Sequence, residues 1–226
     1  MALLAIDTSG DEAAVAVAGD DRVLEAAVWT SQGNHSSSLM PAIARLLRTQ
    51  NIDIDQIDRL VVAIGPGSFS GIRVGLAAGK GLALALSIPL VGVSTLDAIA
   101  AEAATASTRV WALMPAGRGR LYAARYDGNE DIAQEYLAVM PPDLAERIQE
   151  DDVLVGEGAP LLAQNLQQRG KVARMVETPG MDARVGHLVR LGRRRLLRGE
   201  GLNWRTLEPL YLRRSSAEEK RAESLS

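Results

Sequence analysis

The sequence predicts an α/β protein with two lobes, each built on a mixed sheet. Short apolar runs bounded by turn residues alternate with segments whose apolar residues recur at helical spacing. Three meandering strands, a helix, a strand and a helix follow one another, and the same order of elements returns in the second half. The repeated order predicts an N-terminal lobe at residues 1–105 and a C-terminal lobe at 106–214, whose last helix can pack back on the first lobe.

The first half contains five predicted strands and three predicted helices. The strands are expected at residues 3–6, 13–18, 23–29, 58–64 and 90–93. The first helix follows a polar loop and carries an apolar stripe made of Leu39, Ile43, Leu46 and Leu47. The second helix leads out of a glycine-rich segment to about residue 87. Ser94 or Thr95 is a suitable N-cap for the third, which is expected to reach residue 104.

The second half contains four predicted strands and three predicted helices. The strands are expected at residues 110–114, 121–126, 132–139 and 153–155. A short helix is expected after Pro141 and Pro142, a second at about 160–168, and a last long helix at about 183–198. Residues 215–226 are polar and charged, which predicts a disordered tail.

Composition excludes several classes of function. The 226 residues carry a formal net charge of −3, which argues against a globally basic nucleic-acid binder. The chain contains no cysteine, which excludes disulfides, thiolate nucleophiles and zinc sites that use cysteine. The first residues are apolar and then acidic, without a basic region, so we expect no signal peptide. No apolar run suggests a membrane span, and a cytoplasmic location with no membrane contact is the expectation.

Residues 65–81, GPGSFSGIRVGLAAGKG, form the most distinctive segment, because glycines follow a strand and open a helix. Such a segment can cradle a phosphate, since helix N-termini offer free N–H groups and a partial positive charge. The spacing is not a Walker motif: Gly75 to Lys80 is one residue short, and Gly81 replaces the hydroxyl residue. Gly71, Gly75 and Gly79 recur at i, i+4 and i+8, which favours close packing of this helix, within or between chains.

The strand at residues 3–6 ends at Asp7, Thr8 and Ser9. A carboxylate beside hydroxyls at a strand end can serve a magnesium-nucleotide site. The same three residues can equally form a turn by bonding to their own backbone, and taken alone they favour the turn. A vestigial nucleotide site would combine two groups of residues: Asp7, Thr8 and Ser9 with Gly65, Gly67 and Ser68.

The remaining polar clusters favour structural roles. His35 and His187 are the only histidines, and His35 is followed by Ser36 to Ser38, which are suited to capping a helix. These serines lack any base other than His35, so a hydrolase reading is weak. Arginines at 193–195 and 198, with Arg184, Arg190 and Arg205 nearby, can contact RNA phosphates, but a solvated helix face is favoured.

Several segments together match the pattern of a known family. They are LLAIDTS at residues 3–9, His35 and Ser36 with Leu39 and Pro41, and GPGSFSGIRVG at 65–75 with Lys80 and Gly81. Gly119 with residues 122–124 and PLYLR at 209–213 complete the set. In these segments the sequence resembles the TsaB (YeaZ) family of tRNA threonylcarbamoyladenosine biosynthesis. The resemblance implies an actin-like, Hsp70-like and sugar-kinase-like fold, a duplicated ribonuclease-H-like arrangement of two lobes.

The resemblance also implies a function. Family members are similar to TsaD, which transfers a threonylcarbamoyl group to adenosine beside the anticodon and holds a metal with two histidines one helical turn apart. Here Leu39 stands four places after His35, so no metal site, no cofactor and no catalytic residue are expected. The implied role is a non-catalytic scaffold and activator of TsaD, acting with the ATPase TsaE and meeting tRNA through the complex. The alternative is an independent ATP-dependent enzyme of the same fold that uses Asp7.

The resemblance places the partner interface on two helices, at about residues 37–49 and 71–87. The interface residues expected are Leu39, Ile43, Leu46, Leu47, Gly71, Val74, Gly75, Ala78, Gly79 and Leu82. The same face predicts a homodimer when the chain is alone. The chain departs from the family pattern at three positions where the family usually has an acidic residue, namely Ser37, Pro115 and Arg120.

Overall fold

Two five-stranded mixed sheets form the centre of the computed structural model, which describes residues 2–20, 22–30, 34–103, 109–128 and 132–213. The first sheet contains β1 (Ala2–Asp7), β2 (Glu12–Ala18), β3 (Val23–Thr30), β4 (Ile57–Ala63) and β5 (Leu90–Val93), in the order β3-β2-β1-β4-β5. The first three strands form an antiparallel meander, and β4 and β5 continue the sheet in parallel with β1.

The second sheet repeats this topology. It contains β6 (Arg109–Pro115), β7 (Leu121–Asp127), β8 (Glu135–Val139), β9 (Val153–Val155) and β10 (Arg174–Met175), in the order β10-β9-β6-β7-β8. If the strands of each sheet are numbered one to five in chain order, both sheets have the spatial order three, two, one, four, five. Both also have the same pattern of parallel and antiparallel pairs. The predicted two-lobed α/β fold is therefore confirmed. Strand β10 was not predicted, because its two exposed residues give no apolar signal.

The helices occur in the predicted order. They are α1 (His35–Thr49), α2 (Phe69–Leu86), α3 (Thr95–Ala100), α4 (Pro141–Ala145), α5 (Ala159–Gln168) and α6 (Met181–Leu197), with 3-10 turns at Ile54–Gln56 and Trp204–Thr206. Ser94 caps α3, since its side chain accepts a hydrogen bond from the N–H of Leu96. The expected caps Ser36 to Ser38 lie inside α1 instead, because the helix begins one residue after Asn34.

Helices cover both faces of the first sheet. Side chains alternate along each strand, so β1 sends Leu4 and Ile6 to one face and Leu3 and Ala5 to the other. On the first face they pack with α1 and α2. On the second face they meet α6, which follows the second sheet in sequence but packs across all five strands of the first.

The second sheet is also covered on both faces. Helix α3, which precedes this sheet in sequence, packs on β6 and β7 through Leu96 and Ile99. Helices α4 and α5 cover the opposite face around Trp111, Leu113 and Leu162. Each half of the chain thus contributes a helix to the sheet of the other half. The predicted boundary near residue 105 and the predicted tail at 215–226 lie outside the described residues.

Helix α2 meets the length and hydropathy criteria of a membrane span, which the sequence reading did not anticipate. Its 18 residues have a mean hydropathy of 1.3, and 33% of them are buried within the protein. The buried residues lie against strands of the first sheet, where Gly75 approaches Ile6 and Gly79 approaches Leu90. This contact explains the apolar character of the buried face of α2 but not that of its exposed residues.

Candidate functional site

A cleft of about 630 Å³ opens where residues of both halves of the chain meet. The first half contributes the turn after β1 and the start of α2, including Ser9, Gly67 and Ser68. The second half contributes the end of β6 and the turn before α5, including Glu157. The start of α6 and the C-terminal segment 210–213 complete the lining. The cleft therefore contains three of the six residues that the sequence suggested for a vestigial nucleotide site, namely Ser9, Gly67 and Ser68.

Asp7 lies below the cleft and is fully buried. Its Oδ1 accepts hydrogen bonds from the N–H of Ser9 at 2.9 Å and from the Ser9 hydroxyl at 2.6 Å. Its Oδ2 accepts from Nε of Arg184 at 3.0 Å. Arg184 is itself buried, and its Nη1 lies 3.5 Å from Oε1 of Glu157. Both carboxylate oxygens of Asp7 are thus engaged by groups of the chain itself.

The glycine-rich segment packs directly on the end of β1. The Ser9 carbonyl accepts a hydrogen bond from the N–H of Ser68 at 2.7 Å, and the Thr8 hydroxyl donates to the carbonyl of Gly71 at 2.7 Å. A Cβ at Gly67 would lie 2.1 Å from the Ser9 carbonyl oxygen, and one at Gly71 would lie 2.0 Å from that of Thr8. These glycines are required because two backbones approach within the space a methyl group would need.

This contact corrects the predicted partner interface. Gly71, Gly75 and Gly79 face β1 and β5 of their own chain, with a Cβ at Gly75 only 2.4 Å from the Thr8 hydroxyl. The four apolar residues predicted on α1 are core residues, no more than 5% exposed: Leu39, Ile43, Leu46 and Leu47. Seven of the ten expected interface residues therefore stabilise the chain itself. Val74, Ala78 and Leu82 remain partly exposed along the flank of α2.

The surface that α1 and α2 turn to solvent is a different set, which we call the outer face. On α2 it contains Ala77, Gly81 and Ala85, which recur every four residues, with Leu84 beside them at 62% exposure. On α1 it contains Met40, Pro41 and Ala44, of which Met40 is 46% exposed. Sequence reasoning missed these residues because α2 carries two stripes of small residues, and periodicity alone does not tell which stripe meets the sheet.

A second buried polar cluster surrounds Asp97 on α3. Its Oδ2 pairs with Nη2 of Arg195 at 2.8 Å, and its Oδ1 accepts from the hydroxyls of Tyr126 at 2.8 Å and Tyr136 at 2.5 Å. Burial raises the pKa of Asp97, although these donors act in the opposite direction. Burial and the Asp97 charge likewise raise the pKa of Tyr126 and of Tyr136. No motif marked Asp97 in the sequence, where it stands alone in an apolar helix.

The arginine-rich helix is not a simple solvated face, contrary to the favoured sequence interpretation. Arg184 and Arg195 form the ion pairs with Asp7 and Asp97, and Arg193 donates to the carbonyl of Gly19. These guanidinium groups contact their own chain because α6 packs on the first sheet and brings its arginines to polar groups at the ends of strands and helices.

The two histidines lie in separate elements. His35 is buried at the start of α1, and His187 on α6 has Nδ1 3.1 Å from the carbonyl oxygen of Ala98. Burial lowers the pKa of His187. Among the described residues, no group of three or more His, Asp or Glu side chains could hold a metal ion. Of the departures from the family pattern, Ser37 is exposed on α1, Pro115 lines the cleft, and Arg120 is exposed at the turn before β7.

Comparison with known proteins assigns the family. The family model described as TsaD, tRNA N6-adenosine threonylcarbamoyltransferase, matches residues 29–173. The tRNA threonylcarbamoyladenosine biosynthesis protein TsaB of Bacillus subtilis is 30% identical over 231 residues, which cover 99% of each chain. The chain belongs to the TsaB family. TsaB of Escherichia coli is 35% identical over 167 residues, covering 70% of this chain and 72% of that protein. The chain therefore has a role in tRNA threonylcarbamoyladenosine biosynthesis.

Solved structures agree with this assignment. A Pseudomonas aeruginosa protein described as similar to peptidase YeaZ superposes with a TM-score of 0.77 at 26% identity, covering 94% of this chain and 99% of that one. The activator of 2-hydroxyisocaproyl-CoA dehydratase from Clostridium difficile, with bound ADPNP, shares the fold with a TM-score of 0.50 at 9% identity, covering 88% and 96%. The first match supports the family, and the second shows the wider fold only.

Proposed function

We propose that this TsaB-family chain is a non-catalytic subunit that binds and activates TsaD, acting with TsaE in threonylcarbamoyl transfer to the adenosine next to the anticodon. The observation that carries the proposal is the outer face of α1 and α2. Exposed apolar surface made of several neighbouring residues is characteristic of a protein interface. Because the substrate is tRNA, the proposed location of the complex is the cytoplasm. The chain meets tRNA indirectly, through the complex.

The outer face suits a helical partner. Ala77, Gly81 and Ala85 leave a shallow groove along α2, because their side chains are small or absent. Helices can approach one another closely along such a groove, with Met40 and Leu84 supplying larger apolar side chains at its sides. The TsaD family model matches a segment that includes both α1 and α2. A TsaD partner therefore has equivalent helices, and two related helix pairs can pack about an approximate two-fold axis.

The same face explains why the isolated chain is expected to form a homodimer. An apolar surface that fits a related helix pair also fits a second copy of itself. TsaD should then compete with self-association, since both contacts use the same residues. In size-exclusion chromatography with light scattering, the chain alone should have the mass of a dimer and should form a 1:1 species when TsaD is added.

A single experiment tests the interface and the function together. Gly81→Leu adds bulk to the outer face, and a Cβ at this position meets no atom within 4 Å, so the fold is preserved. We expect it to weaken TsaD binding at least tenfold in titration calorimetry and to lower tRNA modification in a mixture with TsaD, TsaE and ATP. Gly186→Leu on α6 is the matched control, because its Cβ also meets open space on the other side of the first sheet.

Two outcomes contradict the proposal. If Gly81→Leu and Gly186→Leu bind TsaD equally well, the outer face is not the interface. If the purified chain modifies tRNA without TsaD, it is a catalytic subunit, and the alternative of an independent ATP-dependent enzyme gains support.

A further inference from the structure

The Asp7 carboxylate below the cleft is already engaged by a guanidinium and a serine of the same chain. Asp7 is fully buried at the end of β1, and Oδ2 meets the Arg184 guanidinium at 3.0 Å. Its other oxygen accepts two hydrogen bonds from Ser9. A magnesium ion or its water would need these oxygens and would lie beside a fixed positive charge, which repels it. The residues present therefore do not fit a magnesium-nucleotide at Asp7.

Arg184 also reaches the other half of the chain. Its Nη1 lies 3.5 Å from Oε1 of Glu157, in the turn between β9 and α5 of the second lobe. A guanidinium presents five N–H donors in one plane, so it can serve carboxylates on two sides at once. A ligand bound in a cleft between two lobes can likewise contact both lobes and hold them together. Arg184 thus contacts carboxylates of both halves of the chain at the cleft.

Arg195 forms a second connection at the far end of the same helix. It lies 11 residues after Arg184, three helical turns or about 16 Å along α6 and on the same side of the helix. Its partner Asp97 belongs to α3, which packs on the second sheet, and Tyr126 and Tyr136 of that sheet donate to the same carboxylate. Helix α6 itself is fixed on the first sheet, where a Cβ at Gly192 would lie 2.4 Å from Val61.

We propose that α6 is a built-in clamp between the lobes, in which Arg184 at the cleft and Arg195 at the far end of the helix keep the lobes in one relative orientation with no ligand bound. Separating the lobes would break the Arg195–Asp97 pair and leave the buried Asp97 carboxylate without its cation. The Arg184–Glu157 contact adds a weaker connection, because the Glu157 side chain is 48% exposed. The clamp lies on the face of the first sheet opposite α1 and α2. It is therefore independent of the proposed TsaD interface.

The distance between the lobes can be measured directly, because the chain has no cysteine. Asp55→Cys beside β4 and Gln164→Cys on α5 place spin labels at two exposed positions, one in each lobe. Labelled protein is diluted with unlabelled protein so that double electron–electron resonance reports distances within one chain. We expect one narrow distance distribution that is the same without ligand and with 5 mM magnesium-ATP. Arg184→Met combined with Arg195→Met should at least double its width.

Arg169→Met is the control, because Arg169 pairs with Glu146 at the surface and does not connect the lobes. The clamp is rejected if magnesium-ATP shifts the distribution of the unsubstituted chain, if the double arginine variant keeps a narrow one, or if Arg169→Met broadens it equally. The comparison with and without magnesium-ATP uses the arginines of the wild type, so the proposal stays testable if the double arginine variant fails to fold. TsaD binding by the double arginine variant is measured separately. If the variant still binds TsaD, a negative result in the distance measurement rejects the clamp and leaves the proposed function standing.

Discussion

At the scale of single residues, Asp97 combines deep burial with several donors. Arg195, Tyr126 and Tyr136 all donate to it, yet burial dominates and raises its pKa above the usual 3.8. A carboxyl whose pKa is higher in the folded state binds protons more readily there than in the unfolded chain. Its contribution to the free energy of unfolding is therefore most favourable at low pH and declines as the pH rises through the raised pKa.

This sign can be tested with Asp97→Asn, which removes the titration and keeps the shape of the side chain. The free energy of unfolding of the wild type minus that of the variant should fall as the pH rises from about 3.5 to 7. The two proteins should differ least at low pH, where both side chains are neutral, because the raised pKa already includes the effect of the Arg195 ion pair. Urea unfolding across this pH range is the measurement, and a wild-type-minus-variant difference that rises with pH would contradict the assignment.

The residues of the site could be predicted only in part. Asp7, Thr8, Ser9 and Ser68 were visible as polar groups at a strand end and a helix start. The structure places Ser9 and Ser68 in the cleft and buries Asp7 and Thr8 beside them. The pairing of Arg184 with Asp7 could not be predicted, because the two residues lie 177 positions apart and Arg184 resembles the other arginines of a basic helix. Pairing between charges that are distant in sequence depends on how the whole chain folds, and local patterns do not record it.

At the scale of elements, α2 is defined by two stripes of small residues on different sides. The inner stripe is Gly71, Gly75 and Gly79, and the outer stripe is Ala77, Gly81 and Ala85. Glycine periodicity correctly predicted close packing but not its direction. The decisive contact is with Thr8, whose carbonyl and hydroxyl occupy the space beside the inner stripe.

Alanine substitutions distinguish the two stripes. Gly71→Ala places a methyl group 2.0 Å from the Thr8 carbonyl oxygen, so β1 and α2 must move apart. We expect a loss of about 2–4 kcal/mol in the free energy of unfolding. Gly81→Ala meets open space and should instead gain about 0.5–1 kcal/mol from helix propensity. Guanidinium unfolding of both variants is the measurement, and equal effects would show that the stripes are not distinct.

At the scale of the whole molecule, the halves exchange helices. Helix α3 of the first half covers the second sheet, and α6 at the end of the chain covers the first. The order of strands and helices in the sequence predicted two similar lobes, since apolar runs and turn residues mark each element locally. The sequence analysis allowed the last helix to pack back on the first lobe, as α6 does, but it did not anticipate that α3 covers the second sheet. An amphipathic helix does not by itself specify which sheet it will cover.

A fragment of residues 1–103 should therefore not fold by itself. Without α6, the face of the first sheet that contains Leu3, Ala5, Val61 and Val91 has no cover. We expect a poorly soluble fragment with no cooperative unfolding transition in circular dichroism. Adding a peptide of residues 180–198 should restore the transition if the missing cover is the cause, and a cooperative transition of the fragment alone would refute the expectation.

The late position of α6 also has a consequence for synthesis on the ribosome. The strands of the first sheet are complete at residue 93, but α6 ends only at Leu197. At roughly 5–20 residues per second, the intervening chain takes about 5–20 s to make. During that time the apolar face of the first sheet that α6 covers in the folded protein is exposed. We therefore expect a chaperone that binds nascent chains to bind this face during synthesis.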